Sequence, residues 1–290
     1  METLIASSHG KTFITIVNNG SCDDVSVYLD QLHSQGQIHE LIHTSNVGKV
    51  NAIYKGLTGH SFPLVTISDA DVLFLNGWQK ATYAIFNAIP QAGAVCTTPI
   101  SRNIKYLTSN IFFDCFFSKS LRFSDVKDPV AMQQFACSIG KDKFLRKSHL
   151  EKYLTVKKNG VRAVVGAGHY VCTYRGAIFS NTCFSFSETS MGKAVGKNID
   201  QPVVKKNYWR LSTESNFTYH MGNTLENWML EMSVKKTDEN LPQPKLKKRN
   251  ATIVGYWIKT SLFSQIIHLP YVLRKFLWYK GLPRKVANHY

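Results

Sequence analysis

The chain is poor in several features that would settle its class at once, and each shortage excludes something. Its cysteines, at positions 22, 96, 115, 137, 172 and 183, form no C-x-x-C pair and no metal-ligand spacing with histidine, so reduced thiols in a cytosolic setting are the expectation. Met1-Glu2-Thr3-Leu4-Ile5-Ala6-Ser7 lacks a basic n-region and a long apolar core, so no secretory signal is expected. The Asn-x-Thr triplets at Asn216 and Asn250 then read as chance. Polar interruptions in residues 251–290 argue against a membrane span, which needs about twenty nearly uncharged residues, and no internal repeat stands out. Gly166-Ala167-Gly168 lacks the third glycine of a dinucleotide fingerprint, which argues against a Rossmann cofactor site there. Acid is scarce: 19 Asp and Glu face 35 Lys and Arg, a formal net charge of +16 that biases the protein toward polyanions or anionic membrane surfaces.

What is present is a globular composition, 44% hydrophobic and 19% charged over 290 residues, enough for one catalytic-sized domain and an appendage. Strand-like runs at 12–17, 38–43 and 62–67 alternate with stretches of helical spacing at 23–34 and 46–57. A helix at 78–88 and a strand at 92–97 continue the series. This alternation predicts an α/β fold with a mostly parallel sheet flanked by helices, whose ligands sit beyond the carboxyl ends of the strands. Residues 141–158 are basic, with Phe144, Leu145, Leu150 and Leu154 interleaved, and read as a helix-prone, solvated insertion. Residues 161–174 read as β-rich, and 235–250, with two prolines and several lysines, as a linker.

The most informative motif follows the third strand-like run. Asp69 and Asp71 lie two residues apart where that run ends, so in an extended segment their side chains leave on the same face and can converge on one hard cation, or on a cation and a ribose. Two carboxylates so placed repel unless a cation or donors compensate. The plain alternative is an Asp-rich turn. Taken in order, Val17-Asn18-Asn19, then Asn46-x-Gly48-Lys49-x-x-Ala52-x-x-x-Gly56, then Ile67-Ser68-Asp69-Ala70-Asp71 resemble the nucleotide-sugar half of a GT-A fold glycosyltransferase, similar to family 2.

That resemblance implies a Rossmann-like nucleotide-binding half over residues 1–100 and an acceptor half over 101–234, with a C-terminal amphipathic helical extension over 251–290. It implies a nucleotide-sugar donor carried by a divalent cation, Mn2+ or Mg2+. Asp71 would hold the metal, Asp69 the metal or the ribose, and Asn18, Asn19 and Lys49 would lie near the nucleotide. Tyr208-Trp209-Arg210-Leu211-Ser212 and Tyr219-His220-Met221-Gly222-Asn223 resemble the late strand and metal-binding histidine of such enzymes, which makes His220 the third ligand. An imidazole suits manganese better than magnesium. His169 is expected to be structural or to line the acceptor site. The acidic motif that usually supplies an inverting base is not intact, so Asp200 is the candidate base and Glu188 the alternative.

The last forty residues, 251–290, place Ile253, Trp257, Ile266, Leu273 and Trp278 at helical spacing among Lys259, Arg274, Lys275, Arg284 and Lys285. A basic, tryptophan-bearing amphipathic segment suits an anionic membrane surface, and packing on the catalytic domain or a second subunit is the alternative. The combined expectation is a transferase, hexosyl in type, using a UDP-sugar on a lipid-linked or growing glycan in bacterial O-antigen or capsule synthesis, peripheral on the inner face of the cell membrane. A nucleotidyltransferase is the rival enzyme, but Asn18-Asn19-Gly20-Ser21 is not a basic phosphate loop. A nucleic-acid-binding protein is the rival from another class; no binding motif supports it, and no nucleic-acid partner is expected. A catalytically dead scaffold of the same fold is the third reading.

Overall fold

The computed structural model describes residues 1–140, 144–180, 194–222, 226–237, 240–250 and 252–290. After a short helix α1 (Glu2–Ser7), strands β1 (Thr15–Asn19) and β2 (Glu40–Thr44) pair in parallel across helix α2 (Asp23–Ser34). Leu29 and Leu32 of α2 close a small core with Ile14 and Ile38, while Asp23 and Asp24 complement the positive end of the helix in its first turn. Helix α3 (Lys49–Leu57) packs back on β1 so closely that a Cβ on Gly56 would lie 3.1 Å from a Val17 methyl. Strands β3 (Leu64–Ser68) and β4 (Val72–Phe74) then flank the carboxylate pair, and helix α4 (Trp78–Ala88) follows.

The main sheet is larger and differently wound from the sequence expectation. With β5 (Ala92–Cys96), β6 (Leu121–Asp125), β7 (Lys152–Lys158), β8 (Val161–Val165), β9 (Val171–Arg175) and β10 (Trp209–Ser212), its order is β3-β9-β5-β10-β8-β7-β6. The α/β class holds, but among the described residues parallel pairing is confined to β1 with β2 and β5 with β10, and the other junctions are antiparallel. One reason is legible in hindsight. Asn159 and Gly160, with φ of 47° and 80°, form a two-residue turn of the kind that matches strand twist, and they fold β7 back on β8 as a hairpin. Residues 152–158 are therefore strand, with Tyr153, Leu154, Thr155 and Val156 buried, and among the described residues of the expected basic helix only Lys147–Glu151 is helical.

Among the described residues β1 pairs only with β2 and β3 only with β9, so the edges of β1 and β3 face each other across a cleft of about 1530 Å3. The C-terminal segment packs into the core of the main sheet. Ile267, Leu273, Phe276, Leu277, Leu282 and Tyr290 enter the same apolar core as Phe112, Leu154 and Trp209. Burial there is fixed by Lys280, whose Nζ donates to the carbonyls of Cys115, Phe116 and Ser118 at 2.8, 2.7 and 3.0 Å, just past helix α5 (Ser109–Asp114). A cation at a helix C-terminus is favourable, and desolvation lowers the pKa of this ammonium. The stretch read as a linker has no helix or strand among its described residues, yet it is tied down: Lys235 N donates to Asn76 Oδ1 at 2.9 Å, Thr237 N to Ala6 O at 2.8 Å, and Arg175 Nη1 to Lys247 O at 2.9 Å.

Candidate metal and nucleotide site

The turn Asp69-Ala70-Asp71 crosses from one sheet to another, and both of its ends are pinned. Asp69 N donates to Tyr170 O at 2.7 Å beside the first residue of β9. At the other end β4 pairs antiparallel with β11 (Thr218–His220), placing Val72 opposite His220, and Met221 N donates to Asp71 O at 2.7 Å. A residue more than a hundred positions away is thereby brought against the carboxylates. His220 Nε2 lies 3.3 Å from Asp71 Oδ2, and one ligand atom each from Asp69, Asp71 and His220 lie within 4.8 Å of one another. Lys49, the first residue of α3, forms an ion pair with Asp69 Oδ1.

These donors fit a divalent cation. Two carboxylates and one imidazole are the mixed oxygen and nitrogen set that a borderline ion such as manganese accepts. One adjustment goes with binding: His220 Nδ1 accepts from Gly222 N at 3.1 Å, which places the proton of the neutral ring on Nε2, facing Asp71. Coordination through Nε2 requires that proton to leave and the Gly222 contact to be given up. Behind the cluster, the Tyr170 ring lies 6.2 Å from that of His220 and stacks on Phe135, and its hydroxyl bonds to Thr98 and Thr218. Burial pushes that phenol well above its ordinary pKa, so Tyr170 is a neutral, rigid wall.

The cleft is lined by Asn18, Asn19, Lys49, Asp69, Asp71 and His220, so the folded chain brings the sequence-predicted nucleotide and metal residues to one place. The two asparagines are nevertheless occupied. Asn18 Oδ1 accepts from Ser21 N at 3.0 Å and its Nδ2 donates to Ser26 Oγ at 2.9 Å, while Asn19 Oδ1 accepts from Val47 N at 2.9 Å. They fix the turn after β1 against the start of α3. Gly20, at φ +83°, makes that approach feasible, since a Cβ there would lie 2.8 Å from Asn46 N.

Asp200 lies elsewhere. It ends a π-helical turn, Gly196–Asp200, and is fully buried against the equally buried Arg210, with Arg210 Nη2 at 2.9 Å from Oδ1. Tyr174 OH donates to the same oxygen at 3.4 Å. The other oxygen, Oδ2, is buried without a hydrogen bond and lies 3.7 Å from Nδ1 of His169. Arg210 also donates to Ala167 O at 2.9 Å and lies over the Tyr106 ring, so it joins Asp200 to the loop that carries His169. Arg210 falls in the late-strand motif of the sequence, but its place between two apolar strand residues gave no sign of an ion pair with Asp200. Glu188 lies outside the described residues.

Comparison with known proteins gives this geometry its context. Residues 1–154 match the family described as glycosyl transferase family 2, more than half of the chain. The chain belongs to glycosyl transferase family 2. The matched stretch contains both carboxylates and Lys49, whereas His169, Asp200, Arg210 and His220 lie beyond it. A similar solved structure is the mannosyltransferase PcManGT from Pyrobaculum calidifontis in complex with GDP-Man and Mn2+, at 14% identity and a TM-score of 0.39. The alignment covers 69% of this chain and 45% of that one, so this family 2 chain spans less than half of that protein's length. No curated protein matches the sequence.

Proposed function

We propose that this family 2 enzyme transfers a sugar from a nucleoside diphosphate donor, a UDP-sugar, bound in the cleft between β1 and β3, to a lipid-linked or growing glycan of a bacterial surface polysaccharide. The single observation that carries the donor reading is the meeting of Asp69, Asp71 and His220 in that cleft with Lys49 beside them. These three would hold the divalent cation, and such a cation, when bound, neutralises charge on a diphosphate leaving group. Lys49 adds a second positive charge on the same wall. Asn18 and Asn19 hold the β1 turn and the α3 start in register, so the cleft end is shaped by backbone groups whose side-chain supports are already satisfied.

Thermal unfolding in the presence of UDP-glucose, UDP-galactose, UDP-N-acetylglucosamine and GDP-mannose, each with and without Mn2+, tests the reading. The expected result is a rise in melting temperature for one UDP-sugar that requires the metal. Stabilisation by GDP-mannose alone would replace the nucleotide, and no metal-dependent stabilisation by any donor would remove the donor reading. Release of pyrophosphate instead of nucleoside diphosphate would favour a nucleotidyltransferase.

The acceptor reading is supported by the outer face of the C-terminal segment. While its inner face enters the core, Ile253, Val254, Trp257, Ile266, Leu269 and Tyr271 remain exposed, and residues 241–290 contain ten Lys and Arg and no Asp or Glu. Lys275 lies 5.4 and 5.7 Å from the rings of Tyr271 and Trp278, and Arg284 3.8 Å from that of Trp278. Apolar rings bordered by cations suit the headgroup layer of an anionic bilayer, on the cytoplasmic side where lipid-linked acceptors are built. Among the described residues no helix is long and apolar enough to cross it. Sedimentation with phosphatidylglycerol vesicles, lost in high salt and in Trp257→Ser with Ile253→Ser, is expected; equal recovery in the supernatant with and without vesicles would remove the membrane reading.

A further inference from the structure

The acid expected to deprotonate the acceptor is sealed. Asp200 has no exposed surface, so a sugar hydroxyl cannot reach it, and its charge is already matched by Arg210. The group on the open side of Asp200 is His169, whose side chain is 45% exposed and whose Nδ1 faces the one carboxylate oxygen left without a hydrogen bond. We infer that His169 is the base that takes the acceptor's proton, with Asp200 as the positioning residue behind it; the inference rests on the transferase reading above.

Three observations hold the imidazole in place for that work. First, Arg210 bridges Asp200 and the backbone at Ala167, so the carboxylate and the loop before His169 move as one unit. Second, Gly168 is wedged: a Cβ there would lie 2.8 Å from the Ile100 side chain, and Gly166 N donates to Arg210 O at 3.0 Å. Third, Tyr170 O, next in the chain after His169, accepts from Asp69 N at 2.7 Å, which ties the segment that carries His169 to the turn of the carboxylate pair.

The chemistry follows from the tautomer. A carboxylate opposite Nδ1 favours the proton on that nitrogen and leaves the lone pair of Nε2 outward, and no hydrogen bond occupies Nε2 among the described residues. The acceptor hydroxyl gives its proton to Nε2 as its oxygen forms the bond to the anomeric carbon. The bond from that carbon to the diphosphate oxygen breaks, and its electron pair leaves with the nucleoside diphosphate. The imidazolium so formed faces the Asp200 carboxylate, which Arg210 holds in place from its other side. A single direct displacement of this kind inverts the anomeric carbon.

The full chain with Mn2+ provides the test, with UDP-glucose and GDP-mannose as donor probes and water or octyl glucoside as acceptor, read as nucleoside diphosphate released. His169→Ala should lower kcat by about 100-fold or more while leaving donor KM and UDP affinity within about twofold, because the base acts on the acceptor alone. Added imidazole should restore part of the rate to His169→Ala and none to His169→Gln, where the amide fills the space. Asp200→Asn should lower kcat less; should it fail to fold because Arg210 is left uncompensated, Asp200→Asn with Arg210→Gln removes both charges and should show the same loss of kcat. The assignment is overturned by a His169→Ala protein with wild-type kcat, by a loss that falls on donor affinity, by the absence of imidazole rescue, or by Glu188→Gln abolishing transfer while His169→Ala does not. A wild-type protein that neither binds nor turns over any donor would overturn the transferase reading itself, and this assignment with it.

Discussion

Two acidic sites in one chain show how burial divides chemical labour. Asp69 and Asp71 stand at a sheet junction with side chains 21% and 38% exposed, and their partners, Lys49 and His220, are part-exposed groups at the same cleft wall. Asp200 has no exposure, and its partner Arg210 is equally enclosed. Charges at an open wall can change partners when a cation or diphosphate arrives, because water screens and replaces each contact at little cost. An enclosed pair cannot, since separating it leaves a bare charge in a medium of low polarity. The first site is built to exchange ligands, and the second is built to hold a neighbour still.

Substitution at the two sites should therefore give opposite signatures. Asp200→Ala should lower unfolding free energy by about 3–5 kcal/mol, through the orphaned Arg210, and urea denaturation would show it as a shifted midpoint with an unchanged slope. Asp71→Ala should leave stability within about 0.5 kcal/mol but reduce transfer by about 100- to 1000-fold at saturating donor and Mn2+, equivalent to roughly 3–4 kcal/mol of transition-state stabilisation. The contrast breaks if Asp200→Ala unfolds at the wild-type denaturant concentration, or if Asp71→Ala retains full turnover.

How much of this was legible in the sequence differs between the same two sites for a physical reason. The carboxylate pair is local: two residues at a strand end carry their own geometry, and β1, α2, β2, α3 and β3 formed close to where apolar spacing placed them. His220 was found only through resemblance, because its position depends on the pairing of β4 with β11 across the chain. The enclosure of Asp200 was not legible, since no pattern near it announces an ion pair with the strand residue Arg210 or an opening toward His169. The antiparallel sheet was missed for a different reason. Alternation of strand and helix in the first hundred residues suggested parallel winding, whereas Asn159-Gly160 reverses the chain in two residues and converts an expected basic helix into the strand Lys152–Lys158.

A smaller effect extends the comparison of open and enclosed charge to the C-terminal segment. His149 is buried, its ring 4.7 Å from that of Tyr290 and its Nδ1 accepting from Arg146 N at 3.3 Å. Burial, reinforced by Arg146, Arg102 and Lys105, lowers its pKa from 6.5 to about 4. Between those values the unfolded chain binds the proton more readily than the folded one, so the stability tied to His149 is fully present above pH 6.5 and is lost as the pH falls toward 4. The loss should be on the order of 3 kcal/mol by pH 4, at the low end of that for Asp200→Ala, because the ring sheds its charge instead of leaving one stranded. Acid titration of many carboxylates overlaps this window, so the informative measurement is the difference between wild type and His149→Gln in urea midpoints at pH 7, 6, 5 and 4. The two curves should converge as the pH falls, since only the wild type has a ring to protonate. Parallel curves would mean that His149 takes up its proton alike in the folded and the unfolded chain, so that its burial against Tyr290 does not hold it neutral.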